Sequence, residues 1–116
     1  MRITYDEVLR GLLDAVNLKG EDHVYEDLEM CSYLRCGEPS CIVGYLMINT
    51  LEINPLSILG IEGTDAGYAL AALGFEMDDD TMNLLTEVQR AQDHGTPWGE
   101  AVEIAVEFVN REKSKR

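Results

Sequence analysis

Residues Pro39 to Leu51 form a run of thirteen positions without a charged side chain. Within it Cys41, Ile42, Val43, Tyr45, Leu46, Met47, Ile48 and Leu51 cover every azimuth of a helix. A helix that is apolar on all sides has to be enclosed by other elements. The run is too short for the ~20 residues that cross a bilayer, so it is expected to be the central core helix of a helical domain. Pro39, with its fixed φ and missing N–H, suits the first helical position. Gly44 falls in mid-helix, where it is about 1 kcal/mol worse than Ala; close approach of a neighbouring helix is the expected compensation.

The flanking sequence supplies partners for such a core. Thr4 and Glu7 have the spacing of a capping box, and Val8, Leu9, Leu12, Leu13 and Val16 recur at helical spacing. A helix from Tyr5 to Leu18 is therefore expected, ended by Lys19-Gly20. The pattern is lost from Glu21 to Glu38, where acidic residues alternate with Val24, Tyr25, Leu28, Met30 and Tyr33. This stretch reads as a long connection with room for a short β-hairpin near Val24-Tyr25 and Ser32 to Arg35, closed at Gly37-Glu38-Pro39. After the central helix, Asn54-Pro55 starts a short helical turn stopped by Gly60. Thr64-Asp65 caps a helix bearing Ala66, Ala69, Leu70 and Leu73 on one face, with Gly74 at its end. Asp78-Asp79-Asp80 opens the next, where carboxylates suit the positive end of the helix. Met82, Leu85, Val88 and Gln92 are placed on its inner face. Thr96-Pro97 opens the last helix, which is expected to bury Trp98, Ala101, Val102, Ala105, Phe108 and Val109 and to wet Glu100, Glu103 and Glu107. The fold expected is mainly α, a single-domain helical bundle over residues 1–110, with 111–116 as a basic flexible tail.

Composition narrows the class of function. The apolar content of 46% with 27% charged residues is that of a folding chain, yet the net charge is −13. Because Arg111, Lys113, Lys115 and Arg116 hold four of the nine basic residues, positions 1–110 carry five basic against twenty-one acidic groups. A surface of that sign repels phosphate backbones, so direct nucleic-acid binding is not expected. The N-terminus lacks the apolar core of a secretory signal, and no segment reads as a membrane span; a cytoplasmic protein is expected. Three cysteines cannot all pair within one chain, and in a reducing compartment none would.

Candidate chemistry is thin. Cys31, Cys36 and Cys41, with His23 upstream, are four residue types that bind zinc, but neither cysteine pair has the tight spacing of a structural knuckle. Cys41 in the first turn of its helix would have a lowered thiol pKa, and only His23 and His94 could serve it as base. His94 is better placed to cap the C-terminal end of its helix. The Asp78-Asp79-Asp80 cluster is not followed by the ligand pattern of a calcium loop. No Gly-rich phosphate loop or serine elbow occurs. Neither a cofactor nor a metal is expected, and no catalytic set emerges. Tyr25, Met30, Tyr33 and Arg35 are the candidate contact residues, because residue types favoured at interfaces lie there in an irregular acidic segment.

The strings Tyr33 to Gly44 and Ala91 to Ala101 resemble a strand–turn–helix signature and a C-terminal segment of small proteins encoded by actinobacterial phages and their hosts. That group has no assigned activity, so the resemblance implies a setting, a phage accessory protein in the host cytoplasm, and no catalytic residues. The expectation is a non-enzymatic, acidic protein-interaction module that binds a host or phage protein, with a DNA mimic aimed at a nucleic-acid-binding enzyme as one alternative. A thiol- or zinc-dependent enzyme or metal module is the other. The apolar helices also leave room for a homodimer.

Overall fold

Thr4 closes the first turn of α1 (Tyr5–Lys19) as its residue type and spacing demand: its hydroxyl accepts from Glu7 N, and the Glu7 carboxylate accepts from Thr4 N. The computed structural model describes residues 1–25, 33–35 and 38–115, with Arg35 described through its backbone. A two-residue antiparallel ladder follows α1, β1 (Leu34–Arg35) against β2 (Glu38–Pro39), with Leu34 opposite Pro39. Then come α2 (Ile42–Tyr45), which runs directly into a π-helical turn at Leu46–Thr50, then α3 (Pro55–Leu59), α4 (Ala66–Ala72), α5 (Asp79–Asp93) and α6 (Trp98–Ser114). The fold is mainly helical, a bundle in which α5 and α6 make the most extensive pair and α1 lies across both. Its radius of gyration, 13.1 Å, is close to the ~13 Å expected of a compact domain this size.

The central segment is enclosed, as its composition requires. Cys41, Ile42, Val43, Leu46 and Met47 are inaccessible to solvent and share one core with Val8, Leu12, Leu84, Leu85, Val88 and Trp98. Its start differs from the expectation. Pro39 closes β2 instead of opening the helix, and Cys41 is the N-cap, with Sγ accepting from Gly44 N at 3.4 Å. The chain needs two residues after the ladder to turn into the core. The Gly44 expectation is also corrected in kind. A Cβ there would lie 2.0 Å from the Tyr33 carbonyl oxygen, so the close neighbour is the chain entering β1 and not a helix. The helix contact falls to Gly11 of α1, where a Cβ would meet Leu46 at 2.3 Å.

The π turn has a readable consequence. Leu51 N donates to Leu46 O, five residues back, and Ile53 N reaches Met47 O. Widening the helix this way ends it, and Glu52 takes the reversal with φ of 53°. A non-glycine residue in the left-handed region is disfavoured by about 1–2 kcal/mol. Glu52 is exposed, so Glu52→Gly should raise stability by up to ~1 kcal/mol once the greater freedom of unfolded Gly is set against the relieved strain. Urea unfolding would read this as a higher midpoint at unchanged slope; a lower midpoint would show that Glu52 is not strained.

Helix caps show which local signals hold. Asn54 Oδ1 accepts from Leu56 N, with Pro55 at the first position of α3. Asp78 caps α5: one carboxylate oxygen accepts from the Thr81 hydroxyl and from Thr81 N, and these bonds hold its carboxyl below the usual carboxylate range. Asp65 stands at the N-cap of α4 but its side chain makes no capping bond; Gln89 Oε1 of α5 accepts from Ala66 N instead, at 2.9 Å. Pro97 is itself the N-cap of α6. The C-terminal residues expected to form a flexible tail continue α6 through Ser114, and Lys113 Nζ lies 3.6 Å from Asp80 and over the Tyr5 ring.

Candidate interaction groove

The end of α1 dictates what the start of α6 looks like. Gly20, at φ 99°, lets its N–H reach Val16 O and turns the chain back across the bundle. Pro97 offers no side-chain cap to α6, leaving the first N–H groups of that helix to find acceptors elsewhere. The returning chain supplies them: Trp98 N donates to His23 O at 2.8 Å and Gly99 N to Glu21 O at 3.0 Å. Gly99 suits this close approach, because a Cβ there would sit 3.0 Å from Glu21 Cβ and 3.2 Å from the Glu21 backbone. The His23 ring meets Trp98 edge-on at 4.5 Å, and Tyr45 packs on the indole from 5.8 Å. Trp98 is fully buried, and its Nε1–H has no hydrogen-bond partner among the described residues.

Docking of residues 21–23 on α6 creates a groove of about 500 Å³ between α1, the returning chain and α6. Leu13, Val16, Pro97 and Val102 give it apolar surface, and Leu13 is 44% exposed. Glu21, Asp22, Glu100 and Glu103 line it as well, and no Lys, Arg or His does among the described residues. Two smaller clefts differ in this respect, since Arg10 stands with Asp6 and Glu7 in one and Arg90 with Asp65 and Asp93 in the other. Uncompensated carboxylates in a concavity with apolar walls concentrate negative potential where a ligand would enter.

Of the four residues expected to make contacts, the structure describes the side chains of two. Tyr25 is 7% and Tyr33 1% exposed, so both rings belong to the core. Tyr33 is a structural hub: its hydroxyl donates to Thr64 O and accepts from Gln89 Nε2, and Glu62 accepts from Tyr33 N at 2.7 Å and from Leu34 N at 3.1 Å. Met30 and the Arg35 side chain lie outside the described residues, as do Cys31 and Cys36. Cys41 is buried. His94 Nδ1 is 2.7 Å from Arg90 O, which requires that nitrogen to carry a proton and fits the expected capping role. Among the described residues no group of three or more His, Cys, Asp or Glu could hold a metal ion, and no helix is long and apolar enough to cross a membrane.

Sequence reasoning missed the groove because its parts were assigned separately. Helical spacing groups Leu13 with Val8, Leu9, Leu12 and Val16 of α1, and Glu100 and Glu103 with the wet stripe of α6. The adjacent pair Leu12-Leu13 carried the signal: neighbours on a helix point about 100° apart, so both could not sit at the centre of one buried face. No protein-family model matches the chain, and no curated protein and no solved structure is significantly similar to it.

Proposed function

We propose that this chain is a non-enzymatic, acidic protein-interaction module whose contact surface is the groove between α1 and α6. The observation that carries the reading is the set of four carboxylates lining that groove, with no basic side chain among the described lining residues, beside an exposed Leu13. Interfaces combine an apolar centre with a polar rim, and a charged rim accelerates encounter with a partner of opposite sign. A phage accessory protein acting on a host protein is one setting compatible with it. The alternative of a DNA mimic draws support from Glu100, Glu103 and Glu107, exposed in a row along α6. Apolar groove walls favour the first reading, because a mimic of the phosphate backbone has no use for Leu13.

Site-specific photocrosslinking in the cells that produce the protein tests this. A photoreactive side chain at Asn17 or Glu103, both exposed beside the groove, should yield a discrete protein adduct. The same group at Tyr68, exposed on α4, should not. Adducts arising only from Tyr68, or from neither set, would remove the groove from the account.

A further inference from the structure

We infer that the groove receives a short cationic segment of a partner protein, seating one apolar side chain between flanking lysines or arginines. This deepens the functional reading above and rests on it. The lining residues set the size of the guest. Leu13, Val16 and Asn17 of α1 and Gly99 to Glu103 of α6 each extend over only about 6 Å of helix, so the groove is about one turn long. A volume of about 500 Å³ lies within the ~300–1,000 Å³ of sites that hold small ligands. It accommodates an anchor and its neighbours, not the length of a long helix.

Charge decides the sign of the guest. Glu21, Asp22, Glu100 and Glu103 line the groove, and no Lys, Arg or His lines it among the described residues. An anionic guest finds the Asn17 amide as the one side-chain donor among the described lining residues, and the amides of Trp98 and Gly99 at the start of α6 are already bonded to His23 O and Glu21 O. A second copy of the chain, at a net charge of −13, brings mostly like charge to the same place. Apolar surface decides the rest. Leu13 is nearly half exposed between carboxylates, and a purely electrostatic contact would leave it wet.

The probe is a blocked twelve-residue peptide carrying one leucine with two arginines on either side in a Ser/Gly background. Trp98, the only tryptophan, lies between the groove-lining residues Pro97 and Gly99 and reports binding by fluorescence; amide shifts of Asn17 and Gly99 locate it. Saturable binding is expected, with shifts confined to the groove. A Glu21→Gln, Glu100→Gln, Glu103→Gln variant should bind about tenfold more weakly, since each exposed ion pair is worth about 1.4- to 5-fold. Replacing the peptide leucine by serine should weaken binding at least about tenfold. Leu13→Ser should weaken it severalfold, with an unfolding midpoint near that of the parent.

No saturation at millimolar peptide, shifts centred elsewhere, or equal affinity for the serine peptide would each overturn the proposal. The last would point to the phosphate-mimic alternative. Crosslinked adducts at Asn17 or Glu103 together with a silent peptide would leave the interaction module standing and remove only this guest. A binding peptide without adducts would remove the groove from the functional reading, and this inference, which rests on that reading, would fall with it.

Discussion

Gly44→Ala should destabilise the protein by about 3 kcal/mol or more, although helix propensity alone assigns that exchange a gain of about 1 kcal/mol. The sign is set by the Tyr33 carbonyl oxygen, 2.0 Å from where the Cβ would be. That carbonyl has little room to retreat. It accepts from Ser40 N, while Tyr33 N and Leu34 N are bound by the Glu62 carboxylate and the Tyr33 hydroxyl is bonded on both sides. Moving it by the required ångström or more breaks several of these bonds at once, in a domain whose whole stability is about 5–15 kcal/mol. Equilibrium urea unfolding measures the change directly. An unchanged or higher midpoint would mean that β1 does not lie against the central helix as described.

Gln92→Leu should be the second severe change, at about 2–3 kcal/mol. Leucine fills a similar space, so the loss isolates hydrogen bonding. Ile42 N, buried at the start of α2, donates to Gln92 Oε1 at 2.8 Å, and an orphaned buried N–H is worth about 1–3 kcal/mol. Gln92 Nε2 also donates to Asp93 Oδ1. The companion Gln92→Glu separates the two roles. Its carboxylate could still accept from Ile42 N but would be buried beside Asp93, and burial raises a carboxyl pKa. The deficit of that variant relative to the parent should therefore be largest at neutral pH and shrink as the pH falls through the raised value. Guanidine or urea midpoints at several pH values read it; a deficit that grows with acidity would exclude the buried-carboxylate account.

Most helices were legible because their signals are local. Thr4 with Glu7, Asn54 with Pro55 and Asp78 before α5 each fix a helix start through residues three positions apart or fewer, and each is seen. The enclosed central segment was legible because a run of apolar side chains has one physical solution. What could not be read were decisions made between distant positions. Pro39 was free to start a helix until pairing with Leu34 made it a strand residue. Asp65 could have capped α4, yet Gln89, twenty-four residues on, does so. Tyr25 and Tyr33 had the residue type of an interface and the surroundings of a loop, and went into the core because their rings were needed there. The groove joins α1 to α6 across most of the chain, and the packing of the two helices and the backbone bonds from Trp98 N to His23 O and Gly99 N to Glu21 O bring its walls together.

α4 takes its first acceptor from Gln89 on α5, and α2 divides the task between Gln92 on α5 and its own Cys41 cap, so both short helices lean on α5 to start. α2 has four residues and α4 seven, well below the ~12–15 at which an isolated helix becomes even marginal in water. The middle of the chain thus borrows its helical shape from α5, and a change that loosens α5 should loosen α2 and α4 with it.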